Sequence, residues 1–283
     1  MKKIVALLGV ICILLSGCAA NAEPAQVVAT TLPVYEFTYR LCEGTDITVG
    51  RLVTENVSCL HDYSLSVSQA RAMEAAEAIV ISGAGLEEHL IAGVSTNVID
   101  SSAGVDVHGC DHDHDHDHAQ DSHIWLSPEN AKVMAENICK GLTQMYPQHA
   151  ITFSCNLSAL LDEIDALRFY ADEQFSVLLS RGLVTFHDGF SYFADSFGLH
   201  ILEAIEEESG SEASAAELKH LIELVQTHEL SAVFTEKNGS ASAAGILSRE
   251  TGVKAYELDM AMSGDSWFGA MYHNIDTVKE ALG

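Results

Sequence analysis

The 283-residue sequence predicts an α/β protein of two lobes, each a mainly parallel sheet flanked by helices, joined by one long linking helix. Three observations carry this expectation. Short β-rich runs alternate with helix-patterned segments along most of the chain, as βα units of a parallel sheet require. The alternation is interrupted at the midpoint by residues 154–181, which have mostly helical apolar spacing and neither Gly nor Pro. The length exceeds one small core and suits two lobes of roughly 100–150 residues.

In the first half, VVATT (27–31) reads as a strand and residues 34–42 as a helix stopped by Gly44. ITVGRLV (47–53), AIVISG (78–83) and NVID (97–100) are further strands. Ser66-x-x-Gln69 has the spacing of a capping box opening a helix over 67–77. Residues 108–121, HGCDHDHDHDHAQD, carry five His and five Asp. Such a tract cannot pack a core and reads as a mobile loop. Order resumes at HIWLSPEN, where Ser127 is a natural N-cap and Pro128 a first helical residue, with the helix running to about Tyr146. In the second half LVTFH (183–187), HILEAI (200–205), AVFTE (232–236) and KAYELD (254–259) alternate with helices over 190–197, 214–229 and 240–250, and a last helix starts near Ser266. Ser214-x-x-Glu217 is a second capping box. The lobes are therefore placed at 27–153 and 182–283.

Met1-Lys2-Lys3 followed by the apolar run Ile4–Leu15 has the charge and length of a signal peptide, too short to span a bilayer. Leu15-Ser16-Gly17-Cys18 resembles the lipobox of bacterial lipoproteins. This implies that residues 1–17 are removed, that Cys18 is lipidated, and that 18–26 tether the protein to the outer face of the cytoplasmic membrane. Five cysteines then remain: Cys42, Cys59, Cys110, Cys139 and Cys155. Cys42/Cys59 and Cys139/Cys155 are the candidate disulfide pairs closest in sequence, while Cys110 lies inside the His/Asp tract.

Charge narrows the function. Fourteen Lys and Arg against 41 Asp and Glu give a formal net charge of −27. Such a surface repels nucleic acid and anionic head groups and favours cations. Fourteen His supply nitrogen ligands that are neutral at pH 7. HExxH, GxSxG, GxxxxGK[ST] and GxGxxG are all missing from the sequence, which argues against the commonest enzyme classes.

In open α/β sheets ligands sit at the carboxyl ends of strands. His61, His123, His187 and Asp259 stand at such places, two from each half. Three imidazoles and a carboxylate can hold zinc tetrahedrally. Spacing alone leaves the set open, since no two candidates are near in sequence. Asp62 and Asp188 flank ligand candidates and could take a ring N–H, and Glu236 ends a strand facing the same cleft. Trp125, Phe186, Tyr192 and Phe193 are expected in the cleft walls.

The surrounding words are more specific. TTLPVYEFTYRL, LHDYSLSVSQARAMEAAEAIVISGAGLEEHL, SHIWLSPENA, TFHDGFSYFADSFGL and AVFTEKNGSASAAGILSRETGVKAYELD together resemble the metal-binding solute-receptor lipoproteins of ABC importers, in the zinc/manganese branch. The resemblance covers about residues 27–283 and implies a substrate-binding protein of the cluster A-I type. It implies His61, His123 and His187 as ligands with Asp259 as the fourth. It further implies Zn2+ as cargo, an ABC permease and its cytoplasmic ATPase as partners, and a monomer without enzymatic activity. A His rather than a carboxylate at 187 points to zinc, with a manganese receptor of the same fold as the alternative. A zinc-dependent surface hydrolase and a surface adhesin are the remaining rivals. His108, His112, His114, His116 and His118 would form an auxiliary zinc collector. The sequence departs from the family at Ser122 before His123, and at Met260-Ala261-Met262 after Asp259. It also lacks a Pro-Gly pair before His61. The long linking helix predicts limited lobe closure.

Overall fold

The computed structural model describes residues 25–57, 60, 63–107, 121–205, 214–237 and 242–283. The expected signal peptide, Cys18, Cys59, Cys110, His61, Asp62 and the histidines from His108 to His118 lie outside the described residues.

The first half runs β1 (Val27–Ala29), α1 (Leu32–Cys42), β2 (Val49–Arg51), α2 (Val67–Ala75), β3 (Ala78–Ile81), α3 (Glu88–Ile91) and β4 (Asn97–Asp100). All pairs are parallel, in the order β2-β1-β3-β4, with Val28 opposite both Gly50 and Ile79. Then come α4 (Pro128–Met145) and α5 (Ala150–Phe175). The second half runs β5 (Gly182–Thr185), α6 (Ser191–Phe197), β6 (His200–Ala204), α7 (Ala215–Thr227), β7 (Ala232–Glu236), α8 (Ser242–Thr251), β8 (Lys254–Leu258) and α9 (Trp267–Leu282). Its sheet is again parallel, in the order β6-β5-β7-β8.

The capping residues act as their spacing predicts. Ser66 accepts from the Gln69 N–H at 3.3 Å while the Gln69 side chain accepts from the Ser66 N–H at 2.9 Å. Ser214 and Glu217 form the same reciprocal pair, and Ser127 accepts from the Asn130 N–H at 3.3 Å. Gly44 turns left-handed at φ +78°, a conformation glycine adopts without strain.

The linking helix starts and ends earlier than expected. A 3-10 turn over Pro147–His149 leads directly into α5, so the chain is helical from Ala150 rather than 154. Beyond Phe175 the chain leaves the helix because Leu179 N–H pairs with Leu282 O (2.9 Å), leaving Val177 and Leu179 exposed. The short helix α3 is not apparent in the sequence pattern.

Strand side chains alternate between two layers. Val27, Ala29 and Val80 of the first sheet, and Leu183, Phe234 and Leu258 of the second, join one continuous core. That core also takes Ile138 and Leu142 of α4, Ile164 and Leu167 of α5, and Trp267, Met271 and Ile275 of α9. The opposite strand faces form two smaller clusters, one around Val28, Ile79 and Met73, the other around Val184, Val233 and Leu247. Phe186 belongs to this last cluster, not to the cleft wall, because it and His187 point to opposite faces.

Among the described residues Cys42, Cys139 and Cys155 are free thiols, so the Cys139/Cys155 bridge does not form, and Cys59 of the other candidate pair lies outside the described residues. Cys139 faces the core from α4 while Cys155 is exposed on α5, so the two point to different environments. Burial pushes the Cys42 thiol pKa up to about 12.

Candidate metal centre

Two imidazoles meet between the halves. His187 follows β5, where the Phe186 N–H still pairs with Phe234 O at 2.9 Å. His123 precedes the 3-10 turn Ile124–Leu126 that leads into α4. Both side chains are buried, with 2% and 3% of their surface exposed, and their ring centroids are 5.2 Å apart at 88°. Gly189 permits this approach. A Cβ there would lie 2.9 Å from His187 Cδ2, 3.0 Å from His123 Nδ1 and 2.7 Å from Met260 Cε.

Each ring has a carboxylate beside its Nδ1. Asp121 Oδ1 accepts from the His123 backbone N–H at 2.9 Å and stands 2.8 Å from His123 Nδ1. Its Oδ2 accepts from the Ser191 hydroxyl, and Tyr192 Oη donates to the Asp121 carbonyl at 3.1 Å. Burial alone would raise the Asp121 carboxyl. The His123 ring, its charge and the Ser191 and backbone donors more than offset that and hold it below its ordinary value. An imidazole that gives its Nδ1 proton to a carboxylate keeps Nε2 as the lone-pair nitrogen, the one available to a metal. Glu236 Oε2, equally buried, lies 4.0 Å from His187 Nδ1.

Trp125 connects this pair to the Asp259 loop. Its ring meets His123 edge-on at 5.4 Å, and its Nε1–H donates to Met260 O at 2.8 Å. Trp267 Nε1–H in turn donates to Trp125 O at 3.0 Å. Asp259 follows β8 and is buried. Its backbone is held at both ends by Asn274: Asp259 N–H donates to Oδ1 and Asn274 Nδ2 donates to Asp259 O, each at 2.7 Å. Its Oδ1 accepts from Ala261 N–H (2.9 Å) and its Oδ2 from Lys237 Nζ (2.8 Å). The hydrogen bond and charge of Asp259 raise the Lys237 ammonium pKa.

Of the expected ligands, then, His123 and His187 are adjacent, Asp259 sits in the loop whose Met260 packs beside Gly189, and His61 lies outside the described residues. Among the described residues no three His, Cys, Asp or Glu side chains form a metal-ligating group. Asp188 is half-buried beside His187. Asp121 is a correction to the loop reading. The mobile tract was expected to reach residue 121, yet Asp121 is buried and locks His123 in place. The signal available was Asp-x-His spacing, which lets one carboxylate reach both the backbone N–H and the ring two residues on. Lys237 had no such signal.

Two four-stranded parallel sheets joined by a 26-residue helix, with buried imidazoles from both halves, define a two-lobed α/β solute-binding protein. Residues 27–281 match the family model of the zinc-uptake complex component A, periplasmic (ZnuA), and the chain belongs to that family. It is 29% identical over 307 residues to the zinc-binding lipoprotein AdcA of Streptococcus pneumoniae serotype 4, a match covering 99% of this chain and 61% of AdcA. The chain thus spans about three-fifths of the length of that curated relative. The crystal structure of ZnuA superposes with a TM-score of 0.81 at 27% identity, covering 92% of this chain and 100% of that one. Zn(II)-bound AdcA from Streptococcus pneumoniae superposes at 0.77 with 26% identity, covering 91% of this chain and 57% of that one.

Proposed function

We propose that this chain is an extracytoplasmic zinc receptor. It captures Zn2+ in the cleft between its halves and delivers it to an ABC permease driven by a cytoplasmic ATPase. The observation that carries this reading is the pair of buried imidazoles, 5.2 Å apart, one from each half, with Asp121 at hydrogen-bond distance from one Nδ1. Two imidazoles brought together in a buried cleft, one of them oriented by a carboxylate at its Nδ1, are the arrangement that presents ring nitrogens to a metal ion. Imidazole suits Zn2+ better than it suits Mn2+. The names of the relatives, a zinc-binding lipoprotein and a zinc-uptake component, support the same cargo.

His61 completes the set on sequence grounds, giving three imidazoles, with Asp259 or water as the fourth ligand. Cys18 carries the lipid anchor, residues 27–153 and 182–283 are the two lobes, and the receptor is a monomer that turns over no substrate. The histidines between His108 and His118 collect zinc near the cleft without being part of it.

Metal analysis of protein purified without added metal tests this reading. Zinc near one equivalent should survive deletion of 108–118 and be lost in His61→Ala, His123→Ala and His187→Ala. Zinc lost with the deletion and kept in the three point variants would move the site to the loop.

A further inference from the structure

The register of the second sheet places a cation on the fourth ligand candidate. β7 pairs with β8 so that Glu236 lies opposite Leu258, and the Lys237 N–H extends the ladder by donating to Leu258 O at 2.7 Å. One residue further along each strand, Lys237 and Asp259 stand side by side, Nζ to Oδ2 at 2.8 Å. With Oδ1 accepting from the Ala261 N–H, both carboxylate oxygens are engaged. Asn274 grips the Asp259 backbone from both sides, so the carboxylate cannot retreat by shifting its loop. The two partners differ in freedom: the Asp259 side chain is 9% exposed, the Lys237 side chain 47%. Lysine can swing into solvent; the carboxylate cannot.

We propose that Lys237 is a specificity-determining residue, an internal ammonium that masks the Asp259 oxygen and so biases the cleft toward metals satisfied by imidazole nitrogen. The inference rests on the zinc-receptor reading. An incoming ion that needs the carboxylate must first displace Lys237 from Oδ2. Zn2+ can complete a tetrahedron with three imidazoles and water, and so can bind without that displacement. Mn2+, which prefers oxygen donors, bears the whole cost. Glu236 does not relieve it, since its Oε2 lies on the Nδ1 side of His187. The mask is weak enough to be reversible, because a half-exposed ammonium holds its partner only modestly. It is also specific, because it is delivered by strand register rather than by a flexible loop.

Titration of Zn2+ and Mn2+ in competition with a chromophoric chelator, on the full mature chain and its variants, tests the proposal. Lys237→Ala should raise Mn2+ affinity by about fivefold, the size of one surface ion pair, and Zn2+ affinity by less than about twofold. Lys237→Arg, which keeps a cation at the same place, should hold the wild-type Zn2+/Mn2+ ratio. In an Asp259→Asn background Lys237→Ala should leave the ratio unchanged. Equal gains for both metals, or a shift that persists with Asp259→Asn, would mean that Lys237 acts only through its overall charge and would overturn the assignment. An unchanged ratio in Lys237→Ala overturns it as well. Wild-type protein that takes up no zinc in the same titration overturns the receptor reading along with it, whereas normal zinc uptake with an unchanged ratio overturns this inference alone.

Discussion

The two sheets share one strand order, second-first-third-fourth, yet their carboxyl ends carry opposite kinds of chemistry. In the first half β1 and β3 end in hydroxyls that satisfy one another. Thr30 Oγ1 donates to Glu87 Oε1 at 2.6 Å, Thr31 and Ser82 hydroxyls are 2.8 Å apart, and Ser101 donates to Ser82 O at 2.9 Å. Glu87 also accepts from the Ser82 and Gly83 N–H groups, and is wholly buried. In the second half β5, β7 and β8 end in His187, Glu236 with Lys237, and Asp259. Topology supplies two equivalent edges, and among the described residues the imidazole and carboxylate of the candidate centre stand at the second one. The described part of the first edge is closed by internal hydrogen bonds, and His123 is offered from outside the sheet, on the turn before α4. That difference predicts that each half holds its ring in its own way: His123 by a carboxylate on the same loop, His187 by strand register.

The largest effect should follow from cutting the carboxylate that holds the loop-borne ring. Asp121→Asn is expected to lower zinc affinity by about 10–100-fold, the usual cost of losing an outer partner of a ligating imidazole. Glu236→Gln, at 4.0 Å and on the strand-held side, should cost less than about tenfold in the same chelator competition. A larger loss for Glu236→Gln would reverse the comparison.

Gly189 sits against both rings. Gly189→Ala places a methyl within 3.0 Å of both rings and of Met260 Cε, so it should lower zinc affinity by about tenfold and destabilise by about 1–3 kcal/mol on thermal unfolding. Affinity equal to wild type would show that the rings have room to part.

Acid should weaken both halves in different ranges. Metal binding needs neutral imidazole, so zinc affinity should fall as pH drops below about 6.5, measured by competition at fixed ionic strength. The Asp121 carboxyl, held below its ordinary 3.8, contributes stability that is present above that value and lost as pH falls through its lower folded value. Asp121→Asn should therefore flatten the acid limb of a melting profile below pH 3.8.

Thiol labelling gives a smaller, sharper contrast. Cys155, exposed on α5, should react with a maleimide in the folded protein, and Cys155→Ser should remove that reaction. Cys42 and Cys139 should react only after unfolding. Protection of Cys155 in the folded chain would restore the case for a bridge.

Much of this architecture is legible in the sequence because it is local. NVID and AVFTE become β4 and β7 residue for residue, and Ser66, Ser127, Ser214 and Ser266 each open the helix they precede. His187 follows β5 as the strand-end rule expects, whereas His123 lies outside the sheet, on the turn before α4. What escaped is non-local or hidden by composition. Asp121 is hidden at the end of a low-complexity run, where composition alone does not set a buried carboxylate apart. Phe186 was assigned to the cleft although strand alternation from His187 puts it on the other face. The Lys237–Asp259 pair depends on the register between β7 and β8, which no spacing within one strand encodes. The start of α5 depended on how Pro147 resolves, into a single tight turn rather than a longer loop.

The shared interior has one further consequence. Glu36 of α1 accepts from the N-terminal Trp267 N–H of α9, Arg40 stacks over Phe268 at 4.6 Å, and Arg51 donates to Gly264 O at 2.7 Å. With apolar packing also continuous from one sheet to the other, the molecule should melt in a single cooperative step, and its small-angle scattering should barely change on loading. On the receptor reading proposed above, such a body is emptied not by prising it apart like a shell but by a tug on a segment beside the ion, so that the work of release is confined to a few residues while the scaffold stays still.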